Sequence, residues 1–227
     1  EIDKDGKWYW SYGGDYGPKD VPSFGKLISG FYKVDGGAVK IGGEPIEAYT
    51  EDALIRNIAF VFQNVRLFHI SIYENVRLAN PDAQRTEVME ALHQAGCDSI
   101  LDKFKDRENT VIGSKGVYLS GGEKQRIAIA RAMLKNAKIV ILDEASAAID
   151  PENEHELQKA FAHLMKGKTV IMIAHRLSSI RNVDEILVLE DGKIVERGTD
   201  AALMATDTKY REYQTLYEQA NEWRVVR

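Results

Sequence analysis

The apolar positions of this chain change period along its length. Ile139-Val140-Ile141-Leu142 is a short continuous run, the pattern of a strand buried on both faces. Thr169 to Ala174 and Glu185 to Leu189 read as two more strands, and Asp191-Gly192 forms a hairpin turn into Lys193 to Glu196. In the first half, Ala38 to Ile41 and Ile58 to Phe62 read as strands, and Leu27 to Tyr32 reads as the end of a helix. Ser71-Ile72-Tyr73-Glu74 has capping-box spacing and predicts a helix through about Leu78. Glu87 to Gly96 reads as another helix, stopped by Gly96. Ser120-Gly121-Gly122-Glu123 repeats the capping-box spacing ahead of Ile127, Ala130, Met133 and Leu134, which recur at helical spacing. Asp150-Pro151 opens a further helix, with proline in the first turn where its missing N–H costs nothing. Terminal helices are expected at about 200–205 and 208–223. From Lys26 onward this alternation predicts an α/β layer architecture with parallel pairing.

Composition narrows the function classes. With 227 residues, 44% hydrophobic and 29% charged, one main globular domain is expected. The net charge is −5 and no dense Lys/Arg run occurs, so nucleic acid is not expected as a partner. The single cysteine, Cys97, falls in a helical-looking stretch and reads as a buried bystander thiol. No apolar stretch approaches the roughly 18 residues needed to cross a bilayer, and Glu1 to Asp5 has no signal-peptide character. The cytosol fits, and any membrane role falls to another segment or chain. Residues 1–25 differ in texture: Trp8, Tyr9, Trp10, Tyr12 and Tyr16 crowd among Gly6, Gly13, Gly14, Gly17, Pro18 and Pro22.

Candidate chemistry clusters where strands are expected to end. A buried strand finishing in Asp143-Glu144 delivers two carboxylates to the sheet edge where ligands of α/β proteins bind. Around a magnesium-bound nucleotide, Asp143 suits the metal and Glu144 suits polarising the attacking water; alone, the pair is equally compatible with a helix cap. Leu119 to Glu123, followed by Lys124-Gln125-Arg126, combines free N–H groups at a helix start with glycines that allow close approach, which suits an anion or, more simply, an ordinary cap. His175 follows one strand and Gln63 ends another, and a neutral amide there can meet both a metal and a water.

Taken in order and spacing, Gln63, Leu119 to Arg126, Ile139 to Glu144, Ser146 to Asp150 and His175 resemble the ABC-type ATPases over about residues 26–227. The resemblance implies a P-loop NTPase-like α/β core with a helical signature-motif subdomain at about 71–136. It implies ATP and Mg²⁺ as cofactors. It also implies roles: Gln63 as the Q-loop glutamine and a metal contact, and Ser120, Gly121, Gly122 and Glu123 as the signature motif against nucleotide. Asp143 becomes the Walker B metal aspartate, Glu144 the catalytic base, Asp150 the D-loop aspartate and His175 the switch histidine. Ile112-Gly113-Ser114-Lys115-Gly116 and Ala174-His175-Arg176-Leu177-Ser178 resemble the exporter branch. The expected partners are then the transmembrane domain of an exporter, docking on the region of Leu67, Phe68, His69, Tyr73 and Val76, and a second nucleotide-binding domain. The expected location is the cytoplasmic face of the membrane. Those docking residues are equally compatible with a core.

One element of the family is missing. No G-x-x-x-x-G-K-[ST] string occurs; Val21 to Leu27 contains Gly25-Lys26 but neither the first glycine nor the hydroxyl. The expectation is a core lacking its N-terminal strands and phosphate-binding loop, with impaired catalysis. Residues 1–25 instead resemble a short stretch of β-galactosidases through Trp10-Ser11-Tyr12-Gly13-Gly14-Asp15-Tyr16-Gly17, too little for glycosidase chemistry. An alternative is that Lys7 to Tyr12 occupies the slot of the missing central strand. Two further functions are open: a non-catalytic half that offers only its signature and D-loop to another subunit's ATP, and a chromosome-maintenance relative. The interval from Gln63 to Leu119 carries no sustained heptads, which argues against the last.

Overall fold

The computed structural model describes residues 11–13, 27–30, 32–34, 36–62, 65–113, 116–143, 151–173, 180 and 182–225. In chain order the strands are β1 (Ser11–Gly13), β2 (Lys40–Ile41), β3 (Glu44–Pro45), β4 (Ile58–Val61), β5 (Ile139–Asp143), β6 (Thr169–Ile173), β7 (Ile186–Glu190) and β8 (Lys193–Gly198). The helices are α1 (Glu51–Asn57), α2 (Ile72–Arg77), α3 (Arg85–Gln94), α4 (Asp98–Leu101), α5 (Gly121–Lys135), α6 (Pro151–Met165), α7 (Asp200–Met204) and α8 (Lys209–Val225). The chain forms two compact units, residues 55–168 and residues 1–54 with 169–227.

In the unit of residues 55–168, β4 and β5 pair in parallel with Ile58 opposite Ile139 and Val61 opposite Leu142. Ile139 through Leu142 are all buried, as a continuous apolar run requires when both faces of a strand are covered. Helix α5 packs against α2, α3, α6 and β4. Its Ile127, Ile129 and Ala130 are fully buried, with Ile72, Val88 and Leu157 among the buried residues of the neighbouring helices. The helix ends at Asn136, which takes the left-handed conformation (φ 50°) tolerated by asparagine.

In the other unit, β1 lies between β6 and β7 and is parallel to both, and β8 closes on β7 as an antiparallel hairpin. Ile180, Ile186, Val188, Leu203 and Tyr210 form its buried cluster. The two oxygens of Glu196 accept the N–H groups of Lys209 and Tyr210 at 2.6 and 3.0 Å and so cap the start of α8. The Tyr210 hydroxyl, inside the cluster, donates to Asp200 at 2.6 Å and accepts from Gln214 at 2.7 Å. A tyrosine can therefore be fully buried there without an orphaned hydroxyl.

Two expectations are corrected. The strand read at Ala38 to Ile41 is only the pair Lys40–Ile41, folded antiparallel onto Glu44–Pro45 around Gly42-Gly43, because the turn arrives before the strand can lengthen. The sheet is not without an N-terminal strand: Ser11, Tyr12 and Gly13 stand opposite Leu187, Val188 and Leu189, with Ser11 also opposite Ile173. Two parallel neighbours each present an edge of backbone groups, and a short extended segment between them satisfies both. Residues 14–26 lie outside the described residues.

If β1 closes this gap, deleting residues 1–13 uncovers the facing edges of β6 and β7. At roughly 0.5–1.5 kcal/mol per lost hydrogen bond, the melting temperature should fall by several degrees and amide protection of Val170–Ile173 and Leu187–Leu189 should collapse. Unchanged melting and unchanged exchange in the truncated chain would show that β1 carries no stability.

Candidate nucleotide-binding site

The parallel register of β4 and β5 sets the edge from which chemistry-bearing residues emerge. Val61 pairs with Leu142, so Phe62 and Asp143 follow at one end of the strand pair. Asp143 is half-buried at the end of β5. Gln63, Glu144, Asp150 and His175 lie outside the described residues. Lys135 donates to the Ile58 carbonyl at 2.7 Å and ties the end of α5 to the start of β4.

At the start of α5 the sequence pattern becomes geometry. The Ser120 hydroxyl accepts the Glu123 N–H at 3.3 Å, and a Glu123 oxygen accepts the Ser120 N–H at 2.7 Å, a reciprocal capping box. The other Glu123 oxygen accepts from Lys103 at 2.6 Å. Burial of Glu123 would raise its carboxyl pKa, but the Lys103 ammonium and the Ser120 N–H outweigh it and hold the group below its ordinary value. Both oxygens being engaged, Glu123 holds the turn. The N–H groups of Gly121 and Gly122 lie outside this box, and a side chain at exposed Gly121 would meet nothing within 4 Å. An open, N–H-rich helix start of this kind is suited to an anion.

The approach to the turn is fixed from behind. Ile112 N–H donates to the Ile70 carbonyl at 3.1 Å and Ile72 N–H to the Thr110 carbonyl at 3.0 Å, which joins the segment after Gln63 to the segment before the turn. A Cβ on Gly113 (φ +116°) would stand 2.5 Å from the His69 ring, and one on Gly116 would collide with the Val111 carbonyl oxygen, so both positions require glycine. Arg126, 2% exposed, donates to the Gly96 carbonyl at 2.8 Å and to Ser99 at 3.3 Å and anchors the next turn of α5 to the end of α3. Beside it the buried Cys97 thiol is pushed up to about 12 by desolvation, the inert thiol expected from sequence.

Asn75, fully buried, organises the segment between β4 and α2. Its amide nitrogen donates to the carbonyls of Phe68 and Ser71 at 3.0 Å each, and its amide oxygen accepts from the Phe68 N–H at 2.9 Å and from Arg131 at 3.0 Å. Arg131 also donates to the Asn75 carbonyl at 2.8 Å. Beside this junction opens a groove of about 1040 Å³, with Phe60, Phe62, Phe68 and Leu78 on its walls and Arg131 and Lys135 of α5 lining it too. The Phe60 and Phe62 rings stack at 5.3 Å. Phe68, 60% exposed, lines the groove, whereas Val76 is fully buried and belongs to the core.

Comparison with known proteins decides what this site belongs to. The sequence profile of the family described as ABC transporter matches residues 23–147. The chain belongs to the ABC transporter family. It is 43% identical over 191 residues to an ATP-dependent lipid A-core flippase of Aliivibrio fischeri, covering 84% of this chain and 33% of the relative. Flippases of the same name from Pasteurella multocida and Legionella pneumophila are 44% and 41% identical over 187 and 186 residues, in each case 82% of this chain and 32% of the relative. The chain thus spans about a third of the length of these curated ABC relatives. No helix among the described residues is long and apolar enough to cross a membrane.

Within the ABC domain, sequence reasoning found the capped turn at Ser120–Glu123 but missed its supports. Lys103 and Asn75 sit in stretches without a motif, and their partners, Glu123 and Arg131, are 20 and 56 residues away. A polar residue on the buried face of a predicted helix, such as Asn75 between Ile72 and Val76, was the available signal.

Glu123→Gln tests the cap. The folded carboxyl titrates below its ordinary 4.5, so its stabilisation is complete above pH 4.5 and is lost as pH falls through the lower folded value. At neutral pH the amide variant should lose about 1–3 kcal/mol in denaturant unfolding, and the difference from wild type should shrink on acidification. A difference that is absent at neutral pH, or that grows in acid, would remove the charge from the explanation.

Proposed function

We propose that this chain is the ATP-binding part of an ABC exporter, coupling ATP hydrolysis to transport through a transmembrane domain and pairing with a second nucleotide-binding domain at the cytoplasmic face of a membrane. The supporting observation is the signature turn: a completed Ser120–Glu123 cap on a buried helix, open at Gly121, in a chain of this family. The named function of the relatives, ATP-dependent flipping of lipid A-core, gives the exporter class, and their cargo stays with the two thirds of their length that this chain does not match.

The residues fit one side of a nucleotide site. Ser120, Gly121 and Gly122 would bind the terminal phosphate of an ATP held by the opposite domain, with Glu123 acting through the cap and Asp150 reaching across the same junction. On this chain's own sheet edge, Asp143 would hold Mg²⁺, whose chemistry is to neutralise phosphate charge. Glu144 would accept the proton of the attacking water, and Gln63 and His175 would orient that water and the phosphate it strikes. ADP then leaves with its oxygen–phosphorus bond broken, and phosphate carries the new oxygen.

The phosphate-loop side has no matching sequence string. With no G-x-x-x-x-G-K-[ST] string among the 227 residues, the lysine and hydroxyl that grip the phosphates are missing, and hydrolysis at this chain's own site is expected to be impaired. The contrast between a complete signature cap and an absent loop string favours a second reading as well: a non-catalytic half that completes a partner's ATP site.

Mixing this chain with an ABC nucleotide-binding domain that carries its own phosphate loop separates the two. In the non-catalytic reading, Glu144→Gln here leaves ATPase activity intact, while Ser120→Arg lowers it about 10²-fold or more with an unchanged melting curve. Activity that dies with Glu144→Gln would mean that this chain hydrolyses ATP itself. Activity indifferent to both would remove the chain from the ATP site.

A further inference from the structure

The backbone ahead of the Ser120–Glu123 turn is extended, and its burial alternates. Leu119 is 6% exposed, while Tyr118 before it and Ser120 after it both face solvent. Side chains two apart on an extended backbone leave from the same face, and Ser120 is itself extended (φ −64°, ψ 167°). Tyr118 therefore shares a face with Ser120. At 80% it is the most exposed large apolar side chain among the described residues. Its backbone is nevertheless held. Val117 N–H donates to the Val111 carbonyl at 3.1 Å, Gly113 N–H donates to the Val117 carbonyl at 3.3 Å, and buried Leu119 anchors the other side. A tyrosine ring on a fixed backbone offers a large flat contact area and loses little conformational entropy when that area is covered.

We infer that Tyr118 stacks against the nucleoside of the ATP whose terminal phosphate the Ser120–Glu123 turn receives, and so sets part of that site's affinity for purine nucleotides. This rests on the reading of the turn as one side of an ATP site and adds to it the contact with the base. Two residues of extended chain carry Tyr118 roughly 7 Å from Ser120, about the span of a triphosphate chain. A nucleotide whose terminal phosphate meets the open N–H groups at Gly121 thus has its nucleoside within reach of the ring. Aromatic side chains stack on the face of a nucleobase without reading its hydrogen-bonding edge. Phosphate and base would then be met by one rigid stretch of chain, with the capping box fixing the N–H groups and the pairing of Val111 with Val117 fixing the ring.

The test mixes the full 227-residue chain with an ABC nucleotide-binding domain that carries its own phosphate loop but a disabled signature motif, and reads KM and kcat for ATP, GTP and UTP. Tyr118→Ala should raise KM for ATP and GTP about tenfold and KM for UTP less, because a purine has the larger stacking face. The kcat and the melting curve should stay near wild type, since the lost contact is one of binding at an exposed position. Tyr118→Phe keeps the ring and should keep the wild-type KM. A KM that Tyr118→Ala raises equally for all three nucleotides would place the ring against the partner protein and overturn the stacking contact, as would a KM that does not change. Ser120→Arg in the same mixture separates the two readings. Activity lost with Ser120→Arg but indifferent to Tyr118→Ala overturns the stacking contact alone, whereas activity indifferent to both removes the turn from the ATP site.

Discussion

Helix α5 runs through the interior of its unit with charged side chains that water would otherwise surround, and the segments around it supply the replacement. Glu123 takes Lys103 and the Ser120 N–H, Arg126 takes the Gly96 carbonyl, Arg131 takes Asn75, and Lys135 takes the Ile58 carbonyl. Leaving any one of these charges buried and unpaired would cost several kcal/mol, a large share of a domain's net stability. The helix therefore has few tolerable placements, and they position the capped turn at its start, the segment after Gln63 along its flank, and β4 at its end. Satisfying polar groups and placing the candidate site residues are the same act in this unit.

The elements legible in the sequence were those with strong local causes. Ile139 to Leu142 announced a doubly buried strand because four consecutive apolar residues have no solvent face, and Ser120 with Glu123 announced a helix start because the cap is a contact between residues three apart. The junction at Asn75 was not legible. Its partners come from residues 68–71 and from Arg131, and nothing short of the packed fold places them together. The hairpin of β2 and β3 was misread for a related reason: alternation over Ala38 to Ile41 does not tell a parallel strand from one that turns back at once. Of the candidate site, Ser120 to Glu123 were read correctly as a capped helix start, while Glu123 proved to be engaged on both oxygens.

The N-terminal residues show how a sheet constrains what adjoins it. A segment outside the residues that the family profile matches supplies β1 between β6 and β7, because two parallel neighbours accept any extended backbone that can pair with both. Strand pairing makes few demands on side chains. Phosphate binding makes many, since a lysine and a hydroxyl must stand at set positions after the strand. The same slot can thus be filled for the fold without the G-x-x-x-x-G-K-[ST] string that phosphate binding uses, and the proposed impairment of hydrolysis rests on that difference.

A thermal unfolding curve of the purified chain, recorded with and without excess Mg-ATP, tests that divergence most directly. A ligand that binds only the folded state raises its stability by RT ln(1 + [L]/Kd), about 2.7 kcal/mol at a hundredfold excess over Kd. The account predicts a melting temperature that does not move with Mg-ATP, because the chain carries no G-x-x-x-x-G-K-[ST] string. A cooperative transition that rises with ATP would contradict it and show that the residues following β1 rebuild a working phosphate site.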